Sequence, residues 1–133
     1  MRKNEDTFET FDRYNVQIKL PMEMTIYAGG KFAFNRTAND LVKTLGWTKV
    51  VLSFDRKNQI IGIRAPKGID EAVYRLSTSH GNKYSVFCSY AFYNFIEFPN
   101  LKHAKAFPVE WDDEHQRFLV KLIFEEFKEE VLT

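Results

Sequence analysis

The chain has one cysteine, no long apolar run and almost no excess of charge, and each shortage closes off a class of protein. With Cys88 alone, no intrachain disulfide can form, and a reducing compartment, most simply the cytoplasm, is expected. No stretch approaches the ~20 apolar residues that a membrane helix needs, and the opening MRKNEDTFETFDRYN lacks the apolar core of a signal peptide. Nineteen basic residues against eighteen acidic ones leave a net charge of +1, which argues against coating nucleic acid by bulk charge. Only a local basic patch could hold such a partner. No nucleotide-binding, metal-ligand or catalytic-triad motif is present, so a role other than catalysis, with no cofactor and no metal, is expected.

What the chain does have is apolar bulk. Its 133 residues are 44% hydrophobic with thirteen Phe, enough for one domain over 1–133 with a real core. Residues 1–13 read as a polar lead-in. From Tyr14, YNVQIKL alternates strictly and predicts a strand, interrupted by Pro21. MTIYA and KFAF flank Gly29-Gly30, a turn where positive φ costs little. In NRTANDLVKTLGW the apolar residues Ala38, Leu41, Val42 and Leu45 share one helical face. Thr37 with Asp40 three places on resembles a capping box, and Gly46 stands where a C-cap glycine belongs. KVVLSF and QIIGIRA then form a hairpin around DRKN, and Pro66-Lys67-Gly68 marks a boundary.

The second part repeats this order. EAVYRLS reads as a strand, SHGN as a turn and KYSVF as the next strand. Ser89 caps a helix stopped by Pro99, and AFPVEW with RFLVKLIF forms a hairpin around DDEH. Phe54 answers to Trp111, Asp55 to Asp112, Gln59 to Gln116, Ile61 to Phe118 and Ile63 to Val120, always 57 positions on. Earlier, Lys31 answers to Lys83, Phe32 to Tyr84, Phe34 to Val86 and Thr37 to Ser89, 52 positions on. These matches predict two pseudo-repeats, about 22–66 and 71–124, each with one short helix, although shared hairpin grammar would write a similar pattern. A unit of ~45 residues cannot enclose its own apolar faces. Two such units closing a barrel can, and they remove exposed strand edges. The fold class expected is α+β and β-rich, in a chain that is a monomer or a loose homodimer.

The run GGKFAFNRTANDLVKTLGWTKVVLSFDRKNQIIGIRAP resembles the swapped-hairpin unit of AbrB-type transcription regulators and MazE-type antitoxins. Gly30-Lys31 stands at the family's Gly-Arg position, Lys43-Thr44-Leu45-Gly46 matches its helix end, and VVLSFDRKNQIIGI matches its hairpin. Asn35 stands where the family usually has Pro, and Val42 where it often has Arg. The resemblance implies a cradle-loop barrel, AbrB-like or double-psi-like, and DNA contact through basic residues of the turn and helix. For MazE-like members it also implies a tail that binds a protein. KHAKAFPVEWDDEHQRFLVKL is similar to the closing hairpin of small bacterial and phage proteins, a similarity that carries no function.

The candidate nucleic-acid contacts are Lys31, Arg36, Lys43, Lys49, Arg56 and Lys57, all in the first half and interspersed with Asp40 and Asp55. They read equally as a solvated face. Trp111-Asp112-Asp113-Glu114-His115 offers metal-ligand side chains, but consecutive residues of a tight turn cannot converge on one ion, so a hairpin turn is expected. Cys88 sits where a small buried residue is usual. In the aromatic segment around YAFYNF, Tyr90 and Tyr93 are the expected exposed members, suited to a protein partner. Phe124, Phe127 and Val131 make an apolar stripe on an acidic tail, 125–133, that could dock on its own barrel or on another protein.

Overall fold

The computed structural model describes residues 7–8, 20–79, 81–99 and 101–124. The strand expected over 14–20, most of the lead-in and the tail bearing Phe127 and Val131 lie outside them. The elements run β1 (Glu23–Tyr27), β2 (Lys31–Phe34), α1 (Arg36–Leu45), β3 (Lys49–Asp55), β4 (Ile60–Arg64), β5 (Tyr74–Arg75), β6 (Ser77–Ser79), β7 (Tyr84–Cys88), α2 (Tyr90–Phe95), β8 (Lys105–Asp112) and β9 (Arg117–Lys121). No helix among the described residues is long and apolar enough to cross a membrane.

The described strands form one antiparallel sheet in the order β5-β3-β4-β9-β8-β1-β2-β7-β6. Only Leu76 separates β5 from β6, so the two ends of that order meet and the sheet is a nearly closed barrel. The seam is short. Lys49 and Val50 face Arg75 and Tyr74, and the Leu76 N–H donates to the Thr48 carbonyl at 2.9 Å. The single strand expected over EAVYRLS is thus two short ones. Its first residues are diverted because Glu71 is engaged in the loop before β5 by Arg64 and the Lys67 N–H.

Alternation sets the core. Met24, Ile26, Phe32, Phe34, Phe87, Phe107, Phe118 and Val120 point inward and are fully buried or nearly so. Phe32 and Phe87 are direct cross-strand partners whose rings stack at 4.9 Å and 9°. Phe118 meets Phe34, Trp47 and Trp111 at 4.9, 5.4 and 5.0 Å. The pairing of Phe32 with Tyr84 and Phe34 with Val86 expected from the sequence does not hold. Tyr84 and Val86 lie on the outer face, and Ser85 and Phe87 are the inward residues of β7.

The helix α1 closes one flank. It is ten residues long and ends at a left-handed Gly46, as expected. Its cap is Asn35, not Thr37: the Asn35 side chain accepts from the Ala38 N–H at 3.0 Å and donates to the Pro21 carbonyl at 2.9 Å. The chain leaves β2 in extended conformation at Asn35, so the first orphan amides fall within reach of that residue. Ser89 caps α2 as expected, accepting from the Phe92 N–H at 3.0 Å. The two caps are thus Asn35 and Ser89, and Thr37, expected to answer to Ser89, is not a cap. Ala38, Asn39 and Val42 are the fully buried face of α1, with Leu41 and Leu45 half-buried beside them. Asn39 is fully enclosed, accepting from the Ser85 hydroxyl and donating to the Asn82 carbonyl.

The hairpins β3–β4 and β8–β9 carry the same turn. Asp55 accepts from the Asn58 N–H at 3.1 Å, and Asp112 from the His115 N–H at 3.3 Å. The Gln59 and Gln116 amides reach back to the carbonyls of Arg56 and Asp113, and both residues take positive φ. Their strands pair alike, Phe54 with Ile61 and Trp111 with Phe118.

Two substitutions test this packing. Phe118→Ala should lower unfolding free energy by about 3–5 kcal/mol, the range for a buried aromatic. Ser85→Ala should cost about 1–3 kcal/mol by leaving the Asn39 carbonyl oxygen unsatisfied in the core. Urea unfolding with an unchanged m-value would establish both.

Candidate nucleic-acid interface

The starts of the two helices organise the surface. Strand β2 runs antiparallel to β7, with Lys31 opposite Cys88 and Phe34 opposite Ser85. The start of β2 therefore lies beside the end of β7, where the chain passes into α2. The contact is close. The Ser89 N–H donates to the Gly30 carbonyl at 2.9 Å, and a Cβ on Gly30 would sit 2.6 Å from the Ser89 carbonyl oxygen. With φ at +104°, that position suits only glycine. Lys31 thus stands at the start of α2. Lys31 and Arg36 do not share one junction: Arg36 opens α1, at the far end of β2, about 16 Å along the chain. The same register, carried beyond Ser85, brings the exposed Lys83 to the start of α1.

The six expected cations accordingly fall into two sets. Arg36, Lys43 and Lys49 are exposed on or just after α1. Arg36 and Lys43 lie seven residues apart, two turns of helix, on one solvent line about 10.5 Å long that also carries Asp40. Lys49 faces Arg75 across the barrel seam. Like charges directly opposite in a sheet are destabilising, and no ion pair among the described residues neutralises either one. Lys31, Arg56 and Lys57 belong to the α2 side. Arg56 is engaged there: its guanidinium donates to the Phe95 carbonyl at 2.6 Å, approaches Glu97 at 3.7 Å and lies over the Phe54 and Phe95 rings. It caps the end of α2.

Between the starts of α2 and α1 the outer face of β1, β2 and β7 forms a groove of about 340 Å³. Thr25, Ala33 and Val86 make a floor of small side chains, flanked by Tyr27 and Lys31 at one end and Asn35 and Tyr84 at the other. The Lys31 ammonium lies 4.7 Å from the Tyr27 ring centroid. An exposed contact of this kind is worth about 0.5–1 kcal/mol, small enough for an anion to draw the lysine away.

The aromatic segment is placed differently from expectation. Tyr90 is 69% exposed, as expected, but Tyr93 is only 7% exposed and Phe95 is 60% exposed. On a short helix whose Phe92 packs inward against Phe32, Tyr93 turns toward Phe98 and the barrel, while Phe95 emerges. Burial raises the Tyr93 hydroxyl above its ordinary pKa, and among the described residues the hydroxyl has no hydrogen-bond partner. Cys88, expected to be buried, is exposed because it ends β7 on the outer face. The Asp112–His115 turn is held internally. His115 Nδ1 and Arg117 Nε each lie 2.9 Å from Asp112 Oδ2. Burial alone would raise the Asp112 pKa, and these hydrogen bonds more than offset it. Among the described residues no group of three His, Cys, Asp or Glu side chains could hold a metal ion.

No family model matches the chain, and no curated protein or solved structure matches it either. The likeness to AbrB and MazE units therefore rests on Gly30-Lys31, the helix end at Lys43–Gly46 and the first hairpin alone.

The loop before β5 presents Arg75 to the seam and is braced by Glu71. Its carboxylate accepts from the Arg64 guanidinium and from the N–H groups of Lys67 and Gly68. These contacts, Arg64 first, lower its pKa from 4.5 to about 2. The folded value lies below the unfolded one, so the stabilisation is fully present above about pH 4.5 and is lost as pH falls toward 2. Between about pH 5 and pH 2.5 the urea midpoint of the wild type should drop further than that of Glu71→Gln. Equal drops would show that the clasp contributes nothing to folding.

Proposed function

We propose that the chain is a small nucleic-acid-binding regulator of AbrB-like type, without catalytic activity, acting in the cytoplasm of a bacterium or phage host. Its barrel, on this reading, is of the cradle-loop kind, built from two pseudo-repeats. The repeated turn, with Asp55 and Asp112 accepting and Gln59 and Gln116 donating alike, supports the second point. So does the arrangement of pairs: β2 joins β7 and β4 joins β9, each linking like-placed strands of the two halves.

The observation that carries the function is the cationic flank of α1. Arg36 and Lys43 line its solvent face, Lys49 and Arg75 confront each other just beyond its end, and no ion pair among the described residues neutralises either of the latter two. A phosphate backbone laid along this flank would relieve that repulsion. With a chain charge of only +1, affinity would come from this local set and would be strongly salt-dependent. Each phosphate contact removed should lower the slope of log K against log salt by about 0.9 for duplex. Arg36→Gln, Lys43→Gln and Lys49→Gln combined should therefore weaken binding across all sequences and flatten the slope by about 2–3, with the fold intact. Wild-type protein that binds neither duplex nor single strand at low salt would end this reading.

A protein-binding role, antitoxin-like or as a phage inhibitor of a host protein, is the alternative. Its specific support is the pair Tyr90 and Phe95, both mostly exposed on α2 beside Arg56.

A further inference from the structure

We propose that the groove on the outer face of β1, β2 and β7 holds a segment of single-stranded nucleic acid, one base lying against Tyr27 with its phosphate at Lys31. The inference rests on the nucleic-acid reading above and deepens it by naming the strand state and the seat.

The groove's chemistry selects the occupant. Strand β2 is paired on both sides, by β1 and by β7, so no free strand edge is available for a peptide to extend the sheet. Recognition must come from side chains. Those present are flat rings at the two ends, a floor small enough to admit another flat ring, and a lysine already poised over the first ring. A base needs a π-face and a nearby cation for its phosphate, and the Tyr27–Lys31 end supplies both. The volume, about 340 Å³, suits one nucleotide and excludes a duplex, whose bases are stacked and paired inside.

The charge runs on from the groove. Four residues of strand, about 13 Å, separate Lys31 from Asn35. Just beyond Asn35 stand Arg36 and, by register, Lys83, both exposed. A strand leaving the groove at that end meets the cationic flank of α1. Acids beside this path include Glu23, level with Asn35, whose N–H donates to the Glu23 carbonyl at 2.9 Å, and Asp40 on the solvent face of α1. The track therefore has cations at both ends, with the small side chains of Thr25, Ala33 and Val86 between.

The test uses the full chain and two labelled probes, oligo(dT) and a duplex of the same length, titrated by fluorescence anisotropy at about 50 and 200 mM salt. Tyr27→Ala should weaken oligo(dT) binding roughly 5- to 100-fold, the range for loss of one base–aromatic stack, and leave duplex binding unchanged. Tyr27→Phe should bind as the wild type. Lys31→Gln should lower the single-strand salt slope by about 0.7. Thermal unfolding of each variant checks that the barrel is intact. Oligo(dT) binding that persists in Tyr27→Ala and Lys31→Gln but is lost in the α1 triple variant overturns the groove and leaves the proposed function standing. Absence of binding to either probe, or capture of a protein partner that masks Tyr27 instead, overturns the groove; only the former also overturns the nucleic-acid role.

Discussion

The pairing of β2 with β7, locked by the Phe32–Phe87 stack, is the constraint on which the rest of the molecule depends. It joins the first half of the chain to the second near the β6 end of the strand order. Because the two strands are antiparallel and each ends in a helix, each helix begins beside the start of the other half's strand. Gly30 accordingly lies against Ser89, and a side chain there would collide with backbone. The interlock recurs further out. Trp47, just past α1, packs on Trp111 and Phe118 of the second hairpin, and Arg56 of the first hairpin caps α2. Neither half could bury Phe118 or satisfy the end of α2 alone. Every candidate surface is therefore composite, with residues far apart in sequence.

That composite build sorts the charges. Arg64, Arg117 and Lys121 are paired with Glu71, Asp112 and Glu110, and Arg56 closes a helix end. These pairs remove cations from the set that could meet phosphate. The α1 flank and Lys31 keep theirs. Among the described residues, Glu71, Asp112 and Glu110 thus sit beside other cations, while Lys31, Arg36, Lys43 and Lys49 form no ion pair.

Much of the frame was legible in the sequence because it is written in local rules. The two DxxxQ hairpin turns, the left-handed Gly46 and the serine cap of α2 are short-range devices, and each stands where its residues put it. What was hidden depended on register. The matches to Tyr84 and Val86 ignored the parity of β7, which only pairing with β2 fixes. Asn35 was overlooked as a cap because Thr37 and Asp40 imitate a capping box. Tyr93 and Phe95 exchange roles because α2 is short and its orientation is set by Phe92 against Phe32. Leu76, where the barrel closes, looked like one more alternating residue. The candidate site was half legible: residue types identified its cations, but no local signal distinguishes the engaged Arg56 from Lys49. The groove could not be read at all, since only the sheet brings Tyr27 and Tyr84 to the two ends of one groove.

The two halves, alike in frame, differ in what they display. On the proposed reading both descend from one ββαββ unit, so their differences are informative. The first helix has ten residues and a basic solvent face; the second has six and exposes Tyr90 and Phe95. The four-residue difference between the cap spacings, Asn35 to Gly46 against Ser89 to Ile96, is close to one turn. It removes the stretch that in α1 carries Asp40 and Lys43. A symmetric dimer of identical units would present two equal basic helices, matched to a two-fold duplex site. A single chain with one basic and one aromatic flank has no such symmetry to match. Its cations and rings instead follow one path, from Lys31 through the groove to Arg36 and along α1. Such a path has a direction, and so does a single nucleic-acid strand.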